Sequence, residues 1–184
     1  MKRGFPRAID RRALLRLAAF GLAGAAGLRV AGALASQEAQ ELDVGVYIPP
    51  DIGEGEPWVA VNLSAQAAVA MIGGAWVHRA WVTTGKDGWD TPEGEFSIVR
   101  RVYNETMTSA ALGITDPNDQ YALTDVLYTQ YFTHVGHALH LNYWRPGSVF
   151  GNQRTSHGCV GMRYDDAAFF WSHVGMRNRV IVHS

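Results

Sequence analysis

The amino-acid sequence predicts a mainly β domain with one or two short helices. Three observations point there. The 184 residues include 20 glycines and six tryptophans, a composition suited to short strands, tight turns and aromatic packing. Apolar stretches are brief and end at Gly, Pro or Asn/Asp punctuation. Only one stretch, Tyr164 to Trp171, reads as a helix. With 47% hydrophobic and 18% charged residues, the chain is long and apolar enough for one folded domain with a sizeable core.

Residues 1–35 read as an export signal. Lys2, Arg3, Arg7, Arg11, Arg12 and Arg16 precede an apolar run from Leu17 to Leu28. Ala33-Leu34-Ala35 follows with the small-x-small pattern of a signal-peptidase site. The run is too short to span ~30 Å of hydrocarbon. Paired arginines, an apolar pair and Arg16 resemble a twin-arginine signal, a route for folded proteins. The expected mature chain starts near Ser36 and works outside the cytoplasm, in the periplasm or cell envelope. Its only membrane contact is then a transient one through the signal. Without residues 1–35 the chain keeps nine basic and sixteen acidic residues, a net charge of −7. An acidic body argues against nucleic acid as a partner.

Residues 36–57, with Pro49-Pro50 and the Gly53–Pro57 breakers, read as a linker, and 58–184 as the folded domain. Trp58–Leu63 and Ala67–Ile72 read as strands. A helix over Ala65–Met71 is the competing reading of the second. Gly73-Gly74 signals a hairpin, and Ala75–Thr84 returns as a third strand. Gly85, Gly88, Pro92 and Gly94 mark loops, and Phe96–Tyr103 resumes as a strand. Residues 104–133 lack clear periodicity and contain Asp116-Pro117-Asn118-Asp119; such a long segment suits a lid or cleft wall. Thr133–Asn142 reads as a strand, placing His134 and His140 on one face and His137 on the other. Asp165 or Asp166 caps the helix, which turns Phe169 and Phe170 to the core. Arg179–Val182 closes as a last strand.

The chemistry concentrates in Thr155-Ser156-His157-Gly158-Cys159-Val160-Gly161-Met162, which holds the only cysteine. A free thiol titrates near pH 8.5 and becomes a strong nucleophile when a neighbouring base or charge favours the thiolate. Gly158 removes a side chain beside the sulfur, opening the backbone to a bulky substrate and leaving N–H groups for an oxyanion. The plain alternative is a small buried, inert cysteine. A zinc site from His134, His137, His140, His157 and Cys159 is a further alternative. Strand alternation turns His137 away from it, so the sequence calls for no metal and no cofactor.

The pattern resembles the L,D-transpeptidase catalytic domain, also called YkuD-like. That family carries a histidine, a spacer of 14 to 17 residues, then Ser/Thr-His-Gly-Cys. Here Leu141 to Thr155 form a spacer of 15 residues between His140 and Ser156-His157-Gly158-Cys159. Val82-Thr83-Thr84-Gly85-Lys86 and Thr91-Pro92-Glu93-Gly94-Glu95-Phe96 match two upstream family steps. The resemblance implies a β-sandwich or barrel-like domain. It makes Cys159 the nucleophile and His140 its base, an imidazole that keeps the thiol ionised. The Cys159 and Gly158 N–H groups form the oxyanion hole, and His157 and Ser156 shape the site. Peptidoglycan stem peptides are the implied partners. Cys159 attacks the carbonyl before a terminal D-alanine; an amine from another stem resolves the thioester as a 3→3 cross-link. Resolution by water would instead make an L,D-carboxypeptidase, and an idle cysteine a non-catalytic wall-binding module. Two departures stand out: Leu141 follows the first histidine where the family often has Gly, and Gly161 stands where it usually has Arg or Asn. Arg163 is then the candidate for holding the donor's carboxylate or amide.

Overall fold

The computed structural model describes residues 44–184; the expected export signal and the first part of the expected linker lie outside the described residues. The described residues form nine strands: β1 (Pro57–Asn62), β2 (Ala67–Ile72), β3 (Ala75–Trp81), β4 (Gly94–Ser97), β5 (Arg100–Thr108), β6 (Ala122–Tyr131), β7 (Ala138–Leu141), β8 (Val160–Met162) and β9 (Arg179–His183). One α-helix, α1 (Tyr164–His173), lies between β8 and β9. The strands make a five-stranded sheet, ordered β3-β2-β1-β9-β4, and a four-stranded sheet, ordered β5-β6-β7-β8. β1 with β9 and β7 with β8 are parallel pairs; the other ladders are antiparallel. No helix among the described residues is long and apolar enough to cross a membrane.

Period-2 alternation builds the core, as a strand should. Val59, Val61, Ala68, Ala70, Val180 and Val182 point inward from the first sheet, and Phe132, Leu139, Leu141, Val160 and Met162 join them from the second. Ala167, Phe170 and Val174 of the helix region complete this cluster. The opposite face of the five-stranded sheet is also apolar, with Trp58, Ala60, Val69, Met71 and Ile181. Val44, Val46 and Ile52 cover it. Residues 44–56, inside the expected linker, therefore pack on the sheet. Asn62 Nδ2 donates to Val44 O (2.7 Å), and Arg179 pairs with Asp51 and Glu56. A sheet buried on both faces explains why β1 and β2 read as continuous apolar runs. The competing helix over 65–71 does not form, because β2 is paired on both edges.

Three expectations need correction. The strand read over Phe96–Tyr103 is two strands in different sheets: β4 pairs with β9, β5 with β6, and the chain crosses at Ile98–Val99 with Ile98 buried in the core. Half of 104–133 is strand as well. β5 has no buried residue and β6 has three, and their ladder carries a register shift between Glu105 and Met107, so their alternation is masked. Only 109–121 forms the irregular connection, with two 3-10 turns. Finally, β7 starts at Ala138; residues 133–137 turn, with Gly136 at φ +112°. At the helix, Arg163 occupies the cap position without a side-chain bond. Asp166 lies in the first turn and meets His78 Nε2 at 2.8 Å. Phe170 faces the core as expected, while Phe169 packs at its edge and stacks on His78.

Phe170 is fully buried between helix and sheets. Phe170→Ala is expected to cost about 3–5 kcal/mol, measured as the loss in urea-unfolding free energy at an unchanged denaturant slope.

Candidate active site

The site is built on the parallel pair β7/β8. Its register sets Leu139 against Val160, His140 against Gly161 and Leu141 against Met162. Leu139, Leu141, Val160 and Met162 all enter the core. Alternation therefore turns His140, Asn142, Cys159 and Gly161 to the opposite face. Cys159 and His140 stand two positions apart on strands ~4.8 Å from each other, and both line one cleft of about 350 Å³. The structure thus brings together the two residues that the sequence singled out.

The loop before β8 is fixed by the upstream motifs. Thr91 Oγ1 accepts the Gly85 N–H (2.9 Å) and donates to Gly158 O (2.9 Å). One hydroxyl thus ties the segments 82–86, 91–96 and 156–159 together. Gly85 admits no side chain: a Cβ there would lie 2.0 Å from Trp89 O. Ser156 Oγ donates to Cys159 O (2.6 Å) and accepts the Gly158 N–H (3.1 Å). Ser156 therefore shapes the cysteine loop and does not position an imidazole. Gly158 also has a different reason from the one expected. Its φ is +106°, and a Cβ would meet the His137 ring at 2.6 Å; backbone conformation and the His137 contact require glycine there. Its N–H is engaged by Ser156.

His140 is buried, and its Nδ1 lies 2.7 Å from Leu141 O. A carbonyl only accepts, so Nδ1 carries the proton and Nε2 keeps its lone pair. Trp144 stacks on the ring at 5.7 Å. Burial pushes the imidazole below its usual 6.5; the Leu141 carbonyl and the Glu105 charge oppose this. Cys159 Sγ is partly accessible and donates to Gly136 O at 3.6 Å. Burial raises the thiol to about 11; the Ala138 N–H favours the thiolate and Glu105 disfavours it. Burial thus favours the uncharged form of each group, against the ion pair that the resemblance implies. Low polarity around both groups is the cause.

His157 shapes the cleft wall. Its Nε2 lies 3.4 Å from Asp119 Oδ1, and its ring contacts Trp89 and Tyr121. Lys86 also holds Asp119 and lowers its carboxyl pKa. Asp119 thereby pins the 109–121 connection over the site, as a wall. Arg163 is not in the cleft. The chain enters α1 there, its Nη2 donates to Gly147 O (2.8 Å), and its guanidinium lies over Phe150. The sequence reading did not single out Asn142, Trp144, Arg145 and Tyr121, which line the cleft. A second cleft, of about 250 Å³, reaches Cys159 from the other side past Met107, Leu112 and Tyr121, and is lined by Arg100, Glu105, Tyr131 and Gly136. His134 lines that second cleft, and His137 bonds Thr133. Among the described residues, no three His, Cys, Asp or Glu side chains converge as metal ligands.

Comparison with known proteins agrees with this construction. The family described as YkuD, L,D-transpeptidase catalytic domain, matches residues 56–182; the chain belongs to that family. It is 29% identical over 99 residues to the probable L,D-transpeptidase 3 of Mycobacterium tuberculosis, covering 53% of this chain and 36% of that protein. The chain thus spans about a third of that relative's length. An L,D-transpeptidase from Mycobacterium smegmatis superposes with a TM-score of 0.65 at 26% identity, over 70% of this chain and 59% of the other. L,D-transpeptidase 3 from Mycobacterium tuberculosis, solved with a faropenem-derived adduct, gives 0.64 at 25% identity, over 70% and 61%.

A thiol at about 11 is roughly one part in 10⁴ thiolate at pH 7. Alkylation of Cys159 by iodoacetamide is therefore expected to accelerate about tenfold per pH unit from 7 to 9, followed by mass spectrometry. A plateau below pH 8 would show a standing thiolate. Glu105→Gln removes a charge that disfavours the thiolate and should speed alkylation at any fixed pH in that range.

Proposed function

We propose that this protein is an exported peptidoglycan L,D-transpeptidase that carries the acyl group on Cys159. The observation supporting this most is the pairing of a nucleophile and a correctly tautomerised base on one face of β7/β8, in the floor of a cleft. The donor stem tetrapeptide occupies the larger cleft. Sγ attacks the carbonyl that precedes the terminal D-alanine, and His140 Nε2 takes the thiol proton as the S–C bond forms. The Cys159 N–H faces the oxyanion, with Gly158 already engaged by Ser156. The C–N bond then breaks, His140 returns the proton to the leaving amine, and a thioester remains. An amine of a second stem attacks that thioester, gives its proton to His140, and the thiol is regenerated.

One feature favours transfer over hydrolysis. Cys159 opens on a second cleft separated from the first by Met107, Leu112 and Tyr121, so an acceptor can approach while the donor acyl chain stays seated. Both clefts also present apolar walls beside their polar groups to a stem peptide. The twin-arginine-like segment, residues 1–35, supports delivery to the envelope where stem peptides occur.

Mature protein mixed with a synthetic stem tetrapeptide is expected to gain the mass of the acyl group on Cys159 and to release D-alanine. A second stem amine should discharge the adduct into a cross-linked product. Cys159→Ala should abolish both steps. Release of D-alanine by that variant would contradict the reading, and discharge to free acid alone, whatever amine is supplied, would make the protein an L,D-carboxypeptidase.

A further inference from the structure

The reactive face has four corners, and only two of them are explained by the chemistry above. His140 and Asn142 stand on β7 and its extension; Gly161 stands on β8, with Cys159 one residue before it. The Asn142 N–H donates to Met162 O (2.8 Å), so the parallel ladder continues to that position. The backbone of Gly161 is held on its other edge by Thr83, with N···O distances of 2.9 and 3.0 Å. A side chain at 161 is excluded by what surrounds it. A Cβ there would lie 2.5 Å from Asn142 Nδ2, 2.9 Å from Asn142 Cβ and 3.1 Å from Thr83 Cγ2. The Asn142 side chain thus fills the space above Gly161, reaching it from the neighbouring strand.

That side chain is placed as a binding group. Asn142 is only 4% exposed, yet it lines the cleft with Cys159 and His140. Its Oδ1 is buried without a hydrogen-bond partner, which is uncommon for a buried amide and calls for a reason. Asn offers an acceptor and two donors on one terminus. The terminal torsion is broad and roughly two-fold, so the amide can turn either end to the cleft. Gln130 is also buried with both amide atoms unpartnered, but it lines neither cleft and carries no such reading. Arg163, on the exposed turn at Gly147, is not available for the task.

We infer that Asn142 is the donor-recognition residue of this protein: its side chain binds a backbone amide of the donor stem beside the scissile bond, Oδ1 accepting the N–H and Nδ2 donating to the carbonyl oxygen. The polar group that the family pattern places just after Cys-Val has moved across the strand pair, from position 161 to position 142. The inference rests on the acyl-transfer reading and adds the residue that seats the donor. Asn142 takes no part in proton transfer, since an amide neither gains nor loses a proton near neutral pH.

The test is steady-state acylation of the mature full-length chain by a synthetic stem tetrapeptide, with the melting temperature of every variant recorded. Asn142→Ala is expected to raise KM for the donor roughly tenfold, the loss of one hydrogen bond, with kcat changed less than about twofold. Asn142→Asp should raise KM further by setting a negative charge against donor oxygens. Gly161→Asn alone should lower the melting temperature through its clash with Asn142. The double variant Asn142→Gly/Gly161→Asn, which removes both Asn142 contacts with a side chain at 161, should recover most of the donor KM, because it returns an amide to the same space from the other strand. Unchanged KM in Asn142→Ala, in a protein that still forms the thioester, would overturn the inference alone. So would a rise in KM in Asn142→Ala that the double variant fails to reverse while its melting temperature is normal. A wild-type protein that forms no adduct would overturn the acyl-transfer reading and this inference with it.

Discussion

The register of two short parallel strands governs this protein. β7 and β8 pair so that His140 faces Gly161. A shift of one residue would send His140 into the core and bring Leu139 or Leu141 to the cleft, because strand side chains alternate. The register is specified from the inside, where Leu139, Leu141, Val160 and Met162 all need burial. The reactive face is thus fixed by apolar packing on the reverse side of the same strands. A catalytic pair built on a core ladder is held more firmly than one hung on loops. The cysteine itself sits one residue before β8, and there the loop takes over: Ser156 clamps it locally and Thr91 ties it to the two upstream motifs.

Placing a thiol and an imidazole against a packed core has an electrostatic consequence. Burial disfavours charge on both, so the thiol rises and the imidazole falls. The uncharged form of each group is thereby favoured, and the acid–base task is divided by hydrogen bonding. Leu141 O fixes the proton on Nδ1 and leaves Nε2 as the acceptor. Glu105 adds a directional bias. Held by Tyr131 and Arg100 (2.7 and 3.1 Å), its charge favours a proton on His140 and disfavours a bare thiolate. That combination stabilises the imidazolium formed as sulfur attacks, when the negative charge moves on to the carbonyl oxygen.

Much of this was legible in the sequence, for physical reasons. β1, β2 and the Gly73-Gly74 turn were readable because apolar runs and a glycine pair are local signals. Cys159 and His140 were readable because their motifs are contiguous. The switch between sheets at Ile98 was not, since β-propensity does not say which sheet a strand joins. β5 and β6 are hidden because they bury few positions and their ladder is bulged. Gly158 was assigned to substrate access, whereas its φ and the His137 ring require it. Arg163 was favoured for its charge, but the helix start carries it away. Asn142 was within reach: it follows His140 by two, and on a strand that spacing means the same face.

The central claim is that His140 is a neutral base with its lone pair on Nε2, presented to a neutral thiol. Nitrogen-15 NMR of the mature protein with labelled histidine tests it most directly. The account predicts a neutral Nδ1–H tautomer for His140 at pH 7, persisting as the pH falls through 6.5 and unchanged by Cys159→Ser. An imidazolium signal at pH 7 that disappears in Cys159→Ser would reveal a standing ion pair and contradict it.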